Sequence, residues 1–214
     1  MNERADIAER DEGTEALAAL RRFARARPVV ERCELCGAGL EADHPHLLDR
    51  TSRQIACGCD ACALLFSGQE GSKFLRIPRR LRRLPDFAFS DLEWEAMMLP
   101  IHLAFFLRTQ DGAIAAMYPS PAGAVQSQLG MEALEQKFAE QPELRTMEPE
   151  VETLLVNRTG DGSYFIVPID ESYRLVGLIR TKWRGLSGGA ELWAGIEQFF
   201  EDLKRRSKEI RSHA

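Results

Sequence analysis

The clearest periodicity lies near the end of the chain. Leu192, Trp193, Ile196, Phe199, Phe200 and Leu203 fall at i, i+1, i+4, i+7, i+8 and i+11, a wide apolar stripe that predicts an amphipathic helix. Residues 14–26 place Leu17, Leu20 and Ala24 on one face, with Thr14 as N-cap and Pro28 as stop. They predict a helix within an N-terminal segment spanning residues 1–28. Ser90 stands three residues before Glu93, a capping-box pair that opens a helix over residues 91–99, and Pro100 ends it. Residues 131–141 predict a further helix closed by Pro142, and residues 171–183 another with Asp170 as its N-cap.

Apolar runs of strand length separate these helices. Residues 101–107 and 113–118 flank Gln110-Asp111-Gly112 and read as one hairpin. Residues 151–157 and 164–169 flank Thr159-Gly160-Asp161-Gly162 and read as a second. Shorter pairs, Leu47-Leu48 and Ile55-Ala56, suggest small strands, while Pro119-Ser120-Pro121-Ala122-Gly123 reads as an irregular loop. No βαβ alternation is present. The expected class is therefore α+β: a small Cys-rich, zinc-ribbon-like module followed by an α+β body of antiparallel hairpins and helices.

Composition narrows the class further. With 214 residues, 44% hydrophobic and 29% charged, the chain is neither collagenous nor low-complexity nor largely disordered. The longest strongly apolar run, residues 97–107, is broken by Pro100 and His102 and falls short of the roughly 20 residues that span a bilayer. The opening segment MNERADIAERDEG has no apolar core of the secretory kind. A soluble cytoplasmic protein is expected, with no membrane partner and reduced thiols. A formal net charge of -5 argues against non-specific binding to nucleic acid.

All 5 cysteines fall between Cys33 and Cys62. Cys33-x2-Cys36 and Cys59-x2-Cys62 are two CxxC knuckles, and such pairs supply the four soft ligands of a tetrahedral ion. Gly37 relaxes the backbone after the first knuckle. Cys57, His44 and His46 lie close by and give more donors than one ion needs. The simplest reading is one Zn2+ held by four cysteines, with the fifth spare or swapped in for Cys59. A mixed site drawing on Cys57 or His46 is a second reading. A two-metal cluster with a bridging thiolate would consume nearly every candidate.

A four-thiolate site also takes iron, as in rubredoxin. Here Ala63 rather than a glycine follows Cys62, which favours structural zinc over a redox centre. The cysteine region, residues 29–72, is thus expected to be a zinc-binding module ahead of a body at residues 84–214.

Between them runs Arg79, Arg80, Arg82 and Arg83. No aromatics interleave, so the run reads as a solvated linker or an acid-docking patch before it reads as a nucleic-acid surface. The turn Trp183-Arg184-Gly185-Leu186-Ser187-Gly188-Gly189 opens the last helix; its glycines relax a turn between packed helices or, less simply, expose N–H groups to an anion. No serine or cysteine stands in a nucleophile elbow, and no acid–base pair stands out, so an enzyme is not expected.

Several stretches together resemble a known family. They are Cys33-Glu-Leu-Cys36-Gly37, His44-Pro-His46-Leu47-Leu48-Asp49, and Ile55-Ala-Cys57-Gly-Cys59-Asp-Ala-Cys62. Tyr118-Pro-Ser-Pro-Ala-Gly123, Val167-Pro-Ile-Asp170 and the Trp183 to Gly189 turn continue the likeness. The combination resembles an uncharacterised bacterial family encoded beside the genes of nickel–iron uptake hydrogenases. That resemblance implies an accessory role through contact with a nickel–iron hydrogenase or its maturation factors. It also implies Cys57 as a ligand, within a shared Cys-x-Cys-x2-Cys element. The expectation is a non-catalytic zinc-binding accessory protein, with a rubredoxin-like electron carrier as the alternative.

Overall fold

A computed structural model describes residues 31–69, 71–127, 131–160, 162–185 and 187–210. The helix expected over residues 14–26 lies outside them. The described chain opens with β1 (His46–Asp49), β2 (Ile55–Cys57), α1 (Asp60–Phe66) and β3 (Phe74–Arg76). It continues through β4 (Arg82–Arg83), α2 (Asp91–Ala96), β5 (Leu103–Arg108), β6 (Ile114–Ser120), β7 (Gly123–Ser127), α3 (Met131–Glu140) and α4 (Pro142–Arg145). It closes with β8 (Glu152–Asn157), β9 (Ser163–Pro168), α5 (Ile169–Lys182), α6 (Ala190–Arg206) and β10 (Lys208–Glu209). The class is α+β, with antiparallel sheets and helices. No helix among the described residues is long and apolar enough to cross a membrane.

Seven strands form the main sheet in the order β10-β4-β9-β8-β5-β6-β7, antiparallel except where β10 meets β4. Both of its faces are covered, which explains the near-continuous apolar runs in β5, β8 and β9. Ala104, Phe106, Leu154, Val156 and Ile166 pack against Phe89, Trp94, Leu134 and Phe138. The alternate residues Leu103, Phe105, Leu155, Phe165 and Val167 pack against Leu175, Ile179, Leu192, Ile196 and Phe200 of α5 and α6. Period-two alternation along each strand thus feeds two cores at once.

A second, three-stranded sheet, β2-β1-β3, carries the cysteines at its edge. Its own apolar centre is small: Leu47, Ala63 and Phe74, with Leu35 against them. A third cluster joins this sheet to the body through Leu48 and Ile77, which pack with Leu107, Val151 and Ile169.

Local signals translated faithfully where both partners are near in sequence. Ser90 and Glu93 form the expected capping box, although the helix ends at Ala96, ahead of Pro100. Other expectations need correction. The Pro- and Gly-rich stretch at 119–123 is strand and tight turn, with Pro119 opposite Ala124 and Ser120 opposite Gly123. Proline is tolerated there because Pro119 lies on β6 beyond the pairing with β5, which covers only Ile114 to Met117, so that side of the strand has no ladder to lose. Pro142 does not merely close a helix; it occupies the first turn of the short α4. Helix α5 starts at Ile169 with Pro168 at the N-cap, so Asp170 lies inside its first turn, where its Oδ1 accepts the Glu171 N–H at 2.9 Å.

The arginine run is not a solvated linker. Arg80 and Arg82 both donate to Glu152, at 2.7 Å and 3.0 Å from Arg80 and 3.1 Å and 3.0 Å from Arg82. Glu152 is 0% exposed and also accepts the Glu148 N–H at 2.8 Å. Arg79 meets Asp43 at 2.9 Å and Arg83 meets Glu209 at 2.7 Å, so all four guanidinium groups have carboxylate partners within the chain. Such a buried charge is tolerated only while its partners stay in place. Glu152→Ala should therefore cost about 3–5 kcal/mol, read as a lowered denaturant midpoint. A loss below about 1 kcal/mol would mark the cluster as no stronger than an exposed ion pair.

Candidate metal centre

Each half of the centre is built by a few residues of backbone. In the first knuckle the Gly37 N–H donates to the Cys33 carbonyl at 2.8 Å, and the Cys33 N–H donates to Ala38 O at 2.8 Å. Gly37 sits at φ 77, a conformation that residues with a side chain rarely adopt. In the second knuckle, Cys59 is the N-cap of α1, and its sulfur accepts the Cys62 N–H at 3.5 Å. Cys62 follows one turn into the helix, which brings the two thiols to the same side. Glu34 ties the knuckles together: its N–H donates to Cys57 O at 2.9 Å, and its carboxylate accepts the Cys57 N–H at 2.8 Å.

The sulfurs of Cys33, Cys36, Cys59 and Cys62 all lie within 4.8 Å of one another. Cys36 and Cys59 approach to 3.8 Å. A tetrahedral zinc or iron ion bound to thiolates at about 2.3 Å separates its sulfurs by about 3.8 Å, so the arrangement fits one ion with little adjustment. Cys33 and Cys62 are buried, Cys59 is half-buried and Cys36 is exposed.

The protonation chemistry agrees with the geometry. Burial pushes the Cys33 thiol up, but N–H groups of Cys59, Leu35 and Cys36 point at its sulfur and bring it down to about 6. Cys62 is driven the other way, to about 12, first by burial and then by the neighbouring cysteine sulfurs that surround it. A cation placed among these sulfurs favours the thiolate form of both.

Cys57 and His46 stand apart from this group. Together with His44 they form a second cluster whose three donor atoms lie within 4.8 Å of one another. Burial raises the Cys57 thiol, reinforced by the nearby Glu34 and Glu31 carboxylates and by Cys33. His46 Nδ1 is 2.6 Å from Asp170 Oδ2, and that hydrogen bond raises the imidazole pKa.

Sequence reasoning overlooked Glu34 and took Asp170 for a cap. No local pattern marks Glu34, whose side chain is exposed and whose partner Cys57 lies 23 positions along the chain. The Trp183 to Gly189 turn is closed on itself: Trp183 Nε1 donates to Gly185 O at 2.8 Å, and Trp193 Nε1 to Ser187 O at 3.0 Å. Arg184 spends its guanidinium on the carbonyls of Thr181 and Trp183.

Residues 32–207 match a family described as a family of unknown function, DUF5947, and the chain belongs to that family. No curated protein and no solved structure matches it.

Cys36→Ser and Cys62→Ser should each remove one bound ion per chain and lower the thermal midpoint, measured by elemental analysis and circular dichroism under reducing conditions. Unchanged metal content and midpoint in both variants would contradict a four-cysteine centre.

Proposed function

We propose that this DUF5947 member is a zinc-binding accessory protein without catalytic activity of its own, acting by protein–protein contact in the assembly or function of a nickel–iron hydrogenase. The partner comes from the sequence resemblance; the mode of action rests on one feature of the surface. Leu64, Leu65 and Phe66 follow Cys62 in α1 and are 70%, 68% and 48% exposed. Their neighbour Ala63 is fully packed against the module's small core. Three consecutive large apolar side chains facing water are unfavourable in an isolated protein and become favourable once a partner covers them.

Zinc suits the donor set and the setting. Four thiolates with no open position make a closed structural site, and binding energy there becomes folding energy for a module whose core is small. Ala63 rather than a glycine follows the second knuckle, which favours a structural ion over a redox centre. A cytoplasmic setting, with thiols kept reduced, belongs to the same reading.

Affinity capture with the tagged full chain from cells making the hydrogenase tests it. A colourless protein containing zinc should retain a hydrogenase subunit or maturation factor. Leu65→Glu with Phe66→Glu should lower that retention by about tenfold, equivalent to about 1.4 kcal/mol, with metal content unchanged. Capture of no hydrogenase component, or a red iron-loaded protein, would defeat the proposal.

A further inference from the structure

The second donor cluster has the features of a metal site in its own right. His44 Nδ1 lies 2.7 Å from the Glu41 carbonyl, which can only accept, so Nδ1 carries the proton and Nε2 keeps its lone pair. The His44 side chain is only 7% exposed, and its Nε2 is buried with no hydrogen-bond partner. A buried acceptor left without a donor is costly and rare in a folded protein. His46 repeats the pattern. Its Nδ1 is held by the Asp170 carboxylate, which leaves its Nε2 as the remaining donor atom. The two rings meet edge to face with centroids 5.0 Å apart.

In both cases Nδ1 is anchored to an oxygen, which leaves Nε2 as the atom that can bind an ion. Metal-binding histidines are oriented in this way, by a carbonyl or carboxylate on the far nitrogen. The Cys57 sulfur completes the group, within 4.8 Å of the two imidazole donors. Backbone geometry fixes its position: Cys57 ends β2, pairs with His46 in the small sheet, and is clamped by Glu34. The following Gly58 allows the close approach of Leu47, whose Cδ1 would be 3.1 Å from an added Cβ.

We propose that His44, His46 and Cys57 form a second metal site, separate from the four-cysteine centre, that binds a divalent first-row transition ion through two imidazoles and one thiolate. The donor set is too soft for magnesium or calcium and suits zinc, cobalt, nickel or copper. Three protein ligands leave a coordination position open. His44 and His46 line a cavity of about 330 Å³ between the small sheet and the body, shared with Arg79, Asp170 and Arg206. The open position has room there for water or a small donor molecule, so this ion is exchangeable where the four-cysteine ion has a complete set of protein ligands. Asp170 acts as a positioning residue, from the body, on a ligand belonging to the module.

Dialysis of the full chain against excess Zn2+ under reducing conditions, followed by desalting and elemental analysis, counts the ions. The wild-type chain should retain about two per chain. His44→Gln and Cys57→Ser should each retain about one, and Cys36→Ser should lose the other ion instead. Asp170→Asn, which keeps the side chain's shape, should weaken the second ion about tenfold or more and spare the first. If Cys57→Ser fails to fold, His44→Gln decides alone. A single ion that Cys36→Ser removes would overturn this second site and leave the four-cysteine centre standing. Two ions unaffected by His44→Gln would also overturn it, and no ion at all would overturn both centres.

Discussion

Four thiols held within 4.8 Å of one another are the constraint on which the first part of the fold depends. Two knuckles, a Gly37 turn, the Glu34 clamp and the first turn of α1 all serve that convergence. It is unfavourable without a cation. Cys33 is held near 6 by burial overcome by N–H donation, while Cys62 is pushed up to about 12 by burial and the surrounding sulfurs. A bound ion reverses that balance and supplies cohesion that the small cluster of Leu47, Ala63 and Phe74 cannot supply alone. The module then leaves Leu64, Leu65 and Phe66 facing outward.

Apolar and polar contacts join the module and the segment after it to the body, Arg50 to Gln110 and Arg53 to Glu150 among them. Leu48 and Ile77 share an apolar cluster with Leu107, Val151 and Ile169. Arg80 and Arg82 converge on Glu152 at the start of β8. His46 reaches Asp170 at the start of α5. Rotation of the parts would leave the His46–Asp170 pair, and the buried Glu150 carboxylate that meets Arg53, without their partners.

Much of this was legible in the sequence, and what was not has a common cause. The CxxC pairs, the Ser90–Glu93 capping box, the β8–β9 hairpin and the stripe on α6 are all local, so spacing alone identifies them. The pairing of Asp170 with His46 spans 124 positions, and that of Arg80 with Glu152 spans 72. No local pattern distinguishes such residues from a helix cap or a solvated basic run. Pro119 and Gly123 carry turn chemistry that is genuine, yet the turn is two residues long and the strands run up to it. The division of seven Cys and His donors into a four and a three likewise depends on the third dimension. Cys57 is only two positions from Cys59, but Cys57 ends β2 while Cys59 caps α1.

X-ray absorption at the zinc edge, on the full chain loaded with one equivalent of Zn2+, examines the four-cysteine centre most directly. The account predicts a first shell of about four sulfurs near 2.3 Å with no imidazole component. A shell dominated by nitrogen and oxygen, or one that is unchanged when Cys36 and Cys62 are replaced by Ser, would contradict it.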